Sequence, residues 1–109
     1  MKNLLVCLLV VAYMIVDVTA YTPHENGGSN ISASGTRCVE GRTVALNGVP
    51  LGTKIKYDGQ IYVVEDRVGY HGVMDIFMED YNKAIEFGRK RNQRIEILEW
   101  SIWVKQRCP

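Results

Sequence analysis

Ile61-Tyr62-Val63-Val64-Glu65-Asp66-Arg67-Val68-Gly69-Tyr70-His71-Gly72-Val73-Met74-Asp75-Ile76-Phe77-Met78 is the stretch on which the reading of this chain turns. Two apolar runs rich in β-branched and aromatic residues, Ile61–Val64 and Val73–Met78, predict two strands joined by a glycine-containing loop. Each run carries an acid where a hydrophobe would be expected. Residues two apart in a strand share a face, so Asp66 is expected beside Val64, and Asp75 beside Val73 and Phe77. A carboxyl set against apolar surface loses hydration and its pKa tends to rise, which suits it to donate a proton near neutral pH. A structural reading stands beside this one: Asp66 capping a turn next to Arg67, and Asp75 pairing with a buried backbone donor.

Working outward, Lys54–Tyr57 and Gln60–Glu65 flank Asp58-Gly59, the signature of a tight hairpin with a type I′ turn. Arg42–Leu46 predicts a short strand ended by the turn pair Asn47-Gly48. Pro50 cannot donate to a ladder, so Val49–Thr53 belongs to a turn or an edge. Asp80–Phe87 predicts the one helix, with Asp80 as N-cap, Gly88 as terminator, and Tyr81, Ala84 and Ile85 on one face. Alternation over Arg94–Trp100 predicts a last strand, with Ile95 and Ile97 on one face and Leu98 and Trp100 on the other. Residues 24–35 are polar and glycine-rich and read as a loop, with His24 a lone imidazole in it. About six short strands and one helix describe an all-β barrel.

The chain has 109 residues, enough for one small domain and too few for two. Its formal charge is +1 with both signs interspersed, which argues against a nucleic-acid surface. The densest basic cluster, Arg89-Lys90-Arg91 with Arg94, reads as a solvated rim facing Glu86 and Glu96. Cys7, Cys38 and Cys108 form no Cys-x-x-Cys pair, so no metal site is expected. Cys38 and Cys108 are left open as either a disulfide or two separate thiols. Met1-Lys2-Asn3 followed by Leu4–Val16 has the form of a secretory leader, shorter than the roughly 20 apolar residues of a membrane span. Val18-Thr19-Ala20 and Val10-Val11-Ala12 both fit a cleavage site. The earlier one leaves a first strand, Ile15–Thr22, whole. The expected division is a leader at 1–16 (boundary between 12 and 20), a barrel at 17–99 and a tail at 100–109.

The motifs come in a particular order: Ala20-Tyr21-Thr22-Pro23, Ser34-Gly35-Thr36, Gly41-Arg42-Thr43-Val44-Ala45, Val49-Pro50-Leu51-Gly52-Thr53, Glu65-Asp66-Arg67, Met74-Asp75-Ile76-Phe77, then Ala84 with Phe87-Gly88. From about Val18 to Leu98 this order resembles the three-aspartate (3D) domain family of bacterial and phage cell-wall proteins. That family is similar to the catalytic barrel of membrane-bound lytic transglycosylase A and to rare lipoprotein A. The resemblance implies a small six-stranded double-psi β-barrel, and cleavage of the MurNAc–GlcNAc bond of peptidoglycan. It implies Asp75 as catalytic acid and base, Asp66 as its catalytic partner, and Asn47, Tyr21, Thr22 and Thr53 as substrate-binding residues; His71 joins them by its place at the loop tip. Asn47 stands where the family carries its first aspartate, and the loop after it is shorter. Tyr70 and His71, at the tip of the loop between the two acids, could stack on or hydrogen-bond a sugar. Trp100 and Trp103 suit closure of the barrel end better than a carbohydrate platform.

Three functions follow as expectations: a lytic transglycosylase, a hydrolase using the same site, or a wall-binding module without catalysis. None requires a cofactor. The expected partner is the peptidoglycan glycan strand. The expected protein is a secreted or envelope monomer, touching a membrane only through its leader.

Overall fold

A computed structural model describes residues 4–23 and 30–104, and side chains within 9–23 and 30–99. Its strands are β1 (Leu4–Tyr21), β2 (Thr43–Ala45), β3 (Lys54–Tyr57), β4 (Gln60–Asp66), β5 (Val73–Phe77) and β6 (Lys90–Val104), with helix α1 (Tyr81–Phe87) between the last two. They close into a barrel in the order β1-β5-β2-β4-β3-β6. Two pairings are parallel, β1 with β5 and β2 with β4, and the other four are antiparallel. The chain is thus the expected all-β six-stranded barrel with one short helix. Its two parallel pairs require crossover connections between their strands.

The barrel interior is apolar because alternate residues of each strand point into it. Val16 and Val18, Val44 and Leu46, Ile55 and Tyr57, Val64, Met74 and Ile76, and Ile95 form one buried cluster. A second, smaller cluster lies on the opposite face of the wall: Tyr21, Cys38, Ala45 and Phe77, with Val68 packed against it. On β5 the alternation is clean, Met74 and Ile76 in the first cluster and Phe77 in the second. Asp75 is therefore on the Phe77 side, as its spacing predicted.

The Asp58-Gly59 turn is as expected, with both residues at positive φ (50° and 78°). Asp80 caps α1 by accepting from the amides of Asn82 and Lys83, and Gly88 ends it at φ 64°. The face expected on α1, Tyr81, Ala84 and Ile85, is largely exposed. Only Ala84 is buried, while Tyr81 and Ile85 are exposed and Phe87 packs against the core from the last turn.

The first and last strands are longer than local hydropathy indicates. β1 begins at Leu4, not Ile15, and β6 covers Lys90–Val104, not 94–100. Each supplies the other's hydrogen-bond partners in an antiparallel ladder from Leu4↔Val104 to Val18↔Lys90. The divisions expected at 16/17 and 99/100 fall inside these continuous strands. Near its barrel end the ladder is irregular, with Asn92 at φ 54°. Asp17 ties this irregularity down, accepting from the Asn92 amide at 3.1 Å and from Arg89 Nε at 2.8 Å. These contacts hold the Asp17 carboxyl below its usual range, the Asn92 amide contributing most and Arg89 next. The basic cluster meets one of the acids expected, Glu96, and one that was not, Asp17. Arg89 and Arg91 pair with Asp17, and Arg94 pairs with Glu96 while stacking over Tyr13. No helix among the described residues is long and apolar enough to cross a membrane.

Candidate active site

The sheet register assembles the site. Thr19 of β1 is opposite Asp75 of β5, Asp75 is opposite Ala45 of β2, and Ala45 is opposite Asp66 of β4. The four residues form one row across four neighbouring strands. With strands spaced about 4.8 Å apart, the two aspartate Cα atoms stand about 10 Å from each other across a small alanine. The alanine leaves open space between the acids. A groove of ≈ 550 Å³ lies there, floored by Ala45, flanked by Asp66 and Asp75, and walled by Tyr21 and the loop from Arg67 to Tyr70.

Asp66 reaches this face by an irregularity that period-2 reading does not foresee. Val44 pairs with Val64, but the next residue of β2, Ala45, pairs with Asp66, so Glu65 is the extra residue of a bulge. Val64 is consequently in the barrel core, while Asp66 lies with Ala45 and Tyr21 on the other face. The expectation that Asp66 shares a face with Val64 is corrected accordingly. The bulge also leaves Glu65 buried on that side, where it accepts from Thr43 Oγ1 at 2.6 Å and from Arg42 Nε at 3.0 Å.

Asp66 is held from three directions. The Tyr21 hydroxyl donates to Oδ2 at 3.1 Å, and the amides of Ala33 and Arg67 donate to Oδ1 at 3.0 and 2.9 Å. Tyr21 is buried, meets Phe77 edge-on at 5.4 Å, and has its hydroxyl 3.9 Å from Cys38 Sγ. Burial, and then the negative charge of Asp66, push the Tyr21 phenol far above its ordinary pKa of 10.0, so it remains a donor. Burial likewise raises the Cys38 thiol. Asp75 is half-buried and accepts from Thr19 Oγ1 at 2.7 Å.

The groove's loop wall is clasped reciprocally. Asn47 Nδ2 donates to the carbonyls of Val68 (2.6 Å) and Tyr70 (3.3 Å), and its Oδ1 accepts from the Val68 amide at 3.3 Å. In return, Arg67 Nη1 donates to the carbonyls of Leu46 (2.9 Å) and Val49 (2.6 Å). Arg67 thus donates to backbone carbonyls through Nη1 and to Asp66 through its main-chain amide.

Of the seven site residues expected from sequence, the structure brings Asp66, Asp75 and Tyr21 together in the groove. Asn47 stands behind the loop wall as its clasp. Thr22 is fully buried, and His71 is exposed and outside the groove lining. Thr53 is placed elsewhere: it donates to the Pro50 carbonyl at 2.6 Å and lines a separate pocket beside Ile97 and Leu98. His24, Cys108, and the side chains of Cys7, Trp100 and Trp103 lie outside the described residues. Among the described residues Cys38 is a free thiol, and no three His, Cys, Asp or Glu side chains gather as metal ligands. Sequence reading missed Thr19, Ala45 and the clasp made by Arg67. Thr19 was within reach of the period-2 rule, since it lies two residues before Tyr21 on one strand. Compared with family models and with curated proteins, the chain has no match in either.

Proposed function

We propose that this barrel is a lytic transglycosylase that cleaves the MurNAc–GlcNAc bond of peptidoglycan, with Asp75 and Asp66 as its two working carboxyls. The single observation that supports this reading is the row Thr19–Asp75–Ala45–Asp66, in which two acids from different strands border one groove. Asp75 protonates the departing glycosidic oxygen as the C1–O bond breaks. As carboxylate it then takes the proton of the sugar's own 6-hydroxyl, whose oxygen bonds to C1 and closes a 1,6-anhydro ring. One residue thus serves as acid and then base, so the second carboxylate that hydrolysis needs for its water is not required. Asp66, an acceptor for three donors, is positioned to stabilise the positive charge developing at the anomeric carbon. Thr19 orients the Asp75 carboxyl through one oxygen. Export directed by the apolar N-terminal segment, a place in the cell envelope and a monomeric state belong to the same proposal.

The test is mass spectrometry of muropeptides released from purified peptidoglycan. Anhydro-MurNAc ends are expected, and Asp75→Asn should reduce their release about a hundredfold or more in a protein that still folds. Reducing ends would instead indicate hydrolysis at the same site. Pelleting with the wall without release would indicate a binding module.

A further inference from the structure

We infer that Tyr70 is a sugar-stacking platform on the rim of this groove, held in place by the Asn47–Arg67 clasp. The inference rests on reading the groove as a polysaccharide site and adds the residue that grips the polymer. Tyr70 is 73% exposed, the most exposed of the large hydrophobic side chains described. It nevertheless lines the groove between Asp66 and Asp75. A loop with Gly69 and Gly72 would ordinarily be loose, and an aromatic on a loose loop pays a large ordering cost on binding. Here the backbone on both sides of Gly69 is already held. Asn47 bonds the Val68 amide and carbonyl and the Tyr70 carbonyl, and Arg67 bonds back to Leu46 and Val49. What remains free is a two-torsion ring with an apolar face and a polar tip, which suits the C–H face of a pyranose flanked by hydroxyls.

The experiment measures binding of a β-1,4-linked N-acetylglucosamine hexamer by calorimetry, using the full chain carrying Asp75→Asn so that no turnover intervenes. Adding Tyr70→Ala should weaken binding roughly tenfold, whereas Tyr70→Phe should retain most of the affinity because the ring face survives. Asn47→Ala, which frees the loop but leaves the ring, should give a smaller loss. Tyr70→Ala binding as tightly as its parent, or Tyr70→Phe losing as much as Tyr70→Ala, would overturn the inference. So would failure of the parent to bind the hexamer at all. Tyr70-dependent binding in a wild type that releases no muropeptides would leave the platform standing and remove the transglycosylase.

Discussion

Tyr21→Phe isolates the link between the second cluster and the groove. The substitution keeps the ring that meets Phe77 at 5.4 Å and removes only the hydroxyl, which donates to Asp66 at 3.1 Å and lies 3.9 Å from Cys38 Sγ. A hydrogen bond to a charged acceptor contributes about 1.5–3 kcal/mol, and Asp66 retains two backbone donors, so the lower half of that range is expected at pH 7. For a domain of this size, such a loss lowers Tm by roughly 6–18 °C. The pH dependence carries a second signature. Because the folded phenol titrates above its unfolded value of about 10, its contribution is fully present below pH 10 and is lost as pH rises beyond it. Wild type should therefore lose about 1 kcal/mol more than Tyr21→Phe between pH 9 and pH 11. Urea unfolding of both proteins at pH 7, 9 and 11 measures this. Equal stability at pH 7, or a gap that does not narrow toward pH 11, would refute the assignment of Tyr21 as the buried donor to Asp66.

Three further outcomes are expected. Gly59→Val should destabilise by about 1 kcal/mol or more because φ is 78° there, although a Cβ would meet no atom within 4 Å; muropeptide release per folded molecule should be unchanged. Asp17 contributes stability above its unfolded pKa that is lost as pH falls through the lowered folded value, so Asp17→Asn should flatten the acid limb of the unfolding profile below about pH 4. Chains shortened to begin at Tyr13 and at Tyr21 should differ in kind. The second lacks Val16 and Val18, both fully buried and each contributing about 1.5–3 kcal/mol, and circular dichroism should show it unfolded while the first retains its strands.

Local chemistry was enough for several elements. Asp58-Gly59 specifies its hairpin because few residues tolerate two consecutive positive φ values, and Asp80 and Gly88 bracket α1 by satisfying the amides and carbonyls at its ends. Alternation placed Asp75 on the Phe77 face because β5 is regular from Val73 to Phe77. Tertiary structure decided the rest. The bulge at Glu65 exists only where β4 meets β2, and it moves Asp66 out of the face it would share with Val64. The lengths of β1 and β6 depend on each strand finding the other nearly the whole chain away, so charged Lys90–Gln93 is strand despite its polarity. Asn47 offers an amide that could face substrate or backbone. Its partners 21 and 23 residues on, Val68 and Tyr70, settle that it faces backbone. Periodicity and caps are properties of neighbouring residues and can be read along the chain. Register, bulges and side-chain partners belong to pairs of distant strands, and here they place two carboxyls on either side of one alanine.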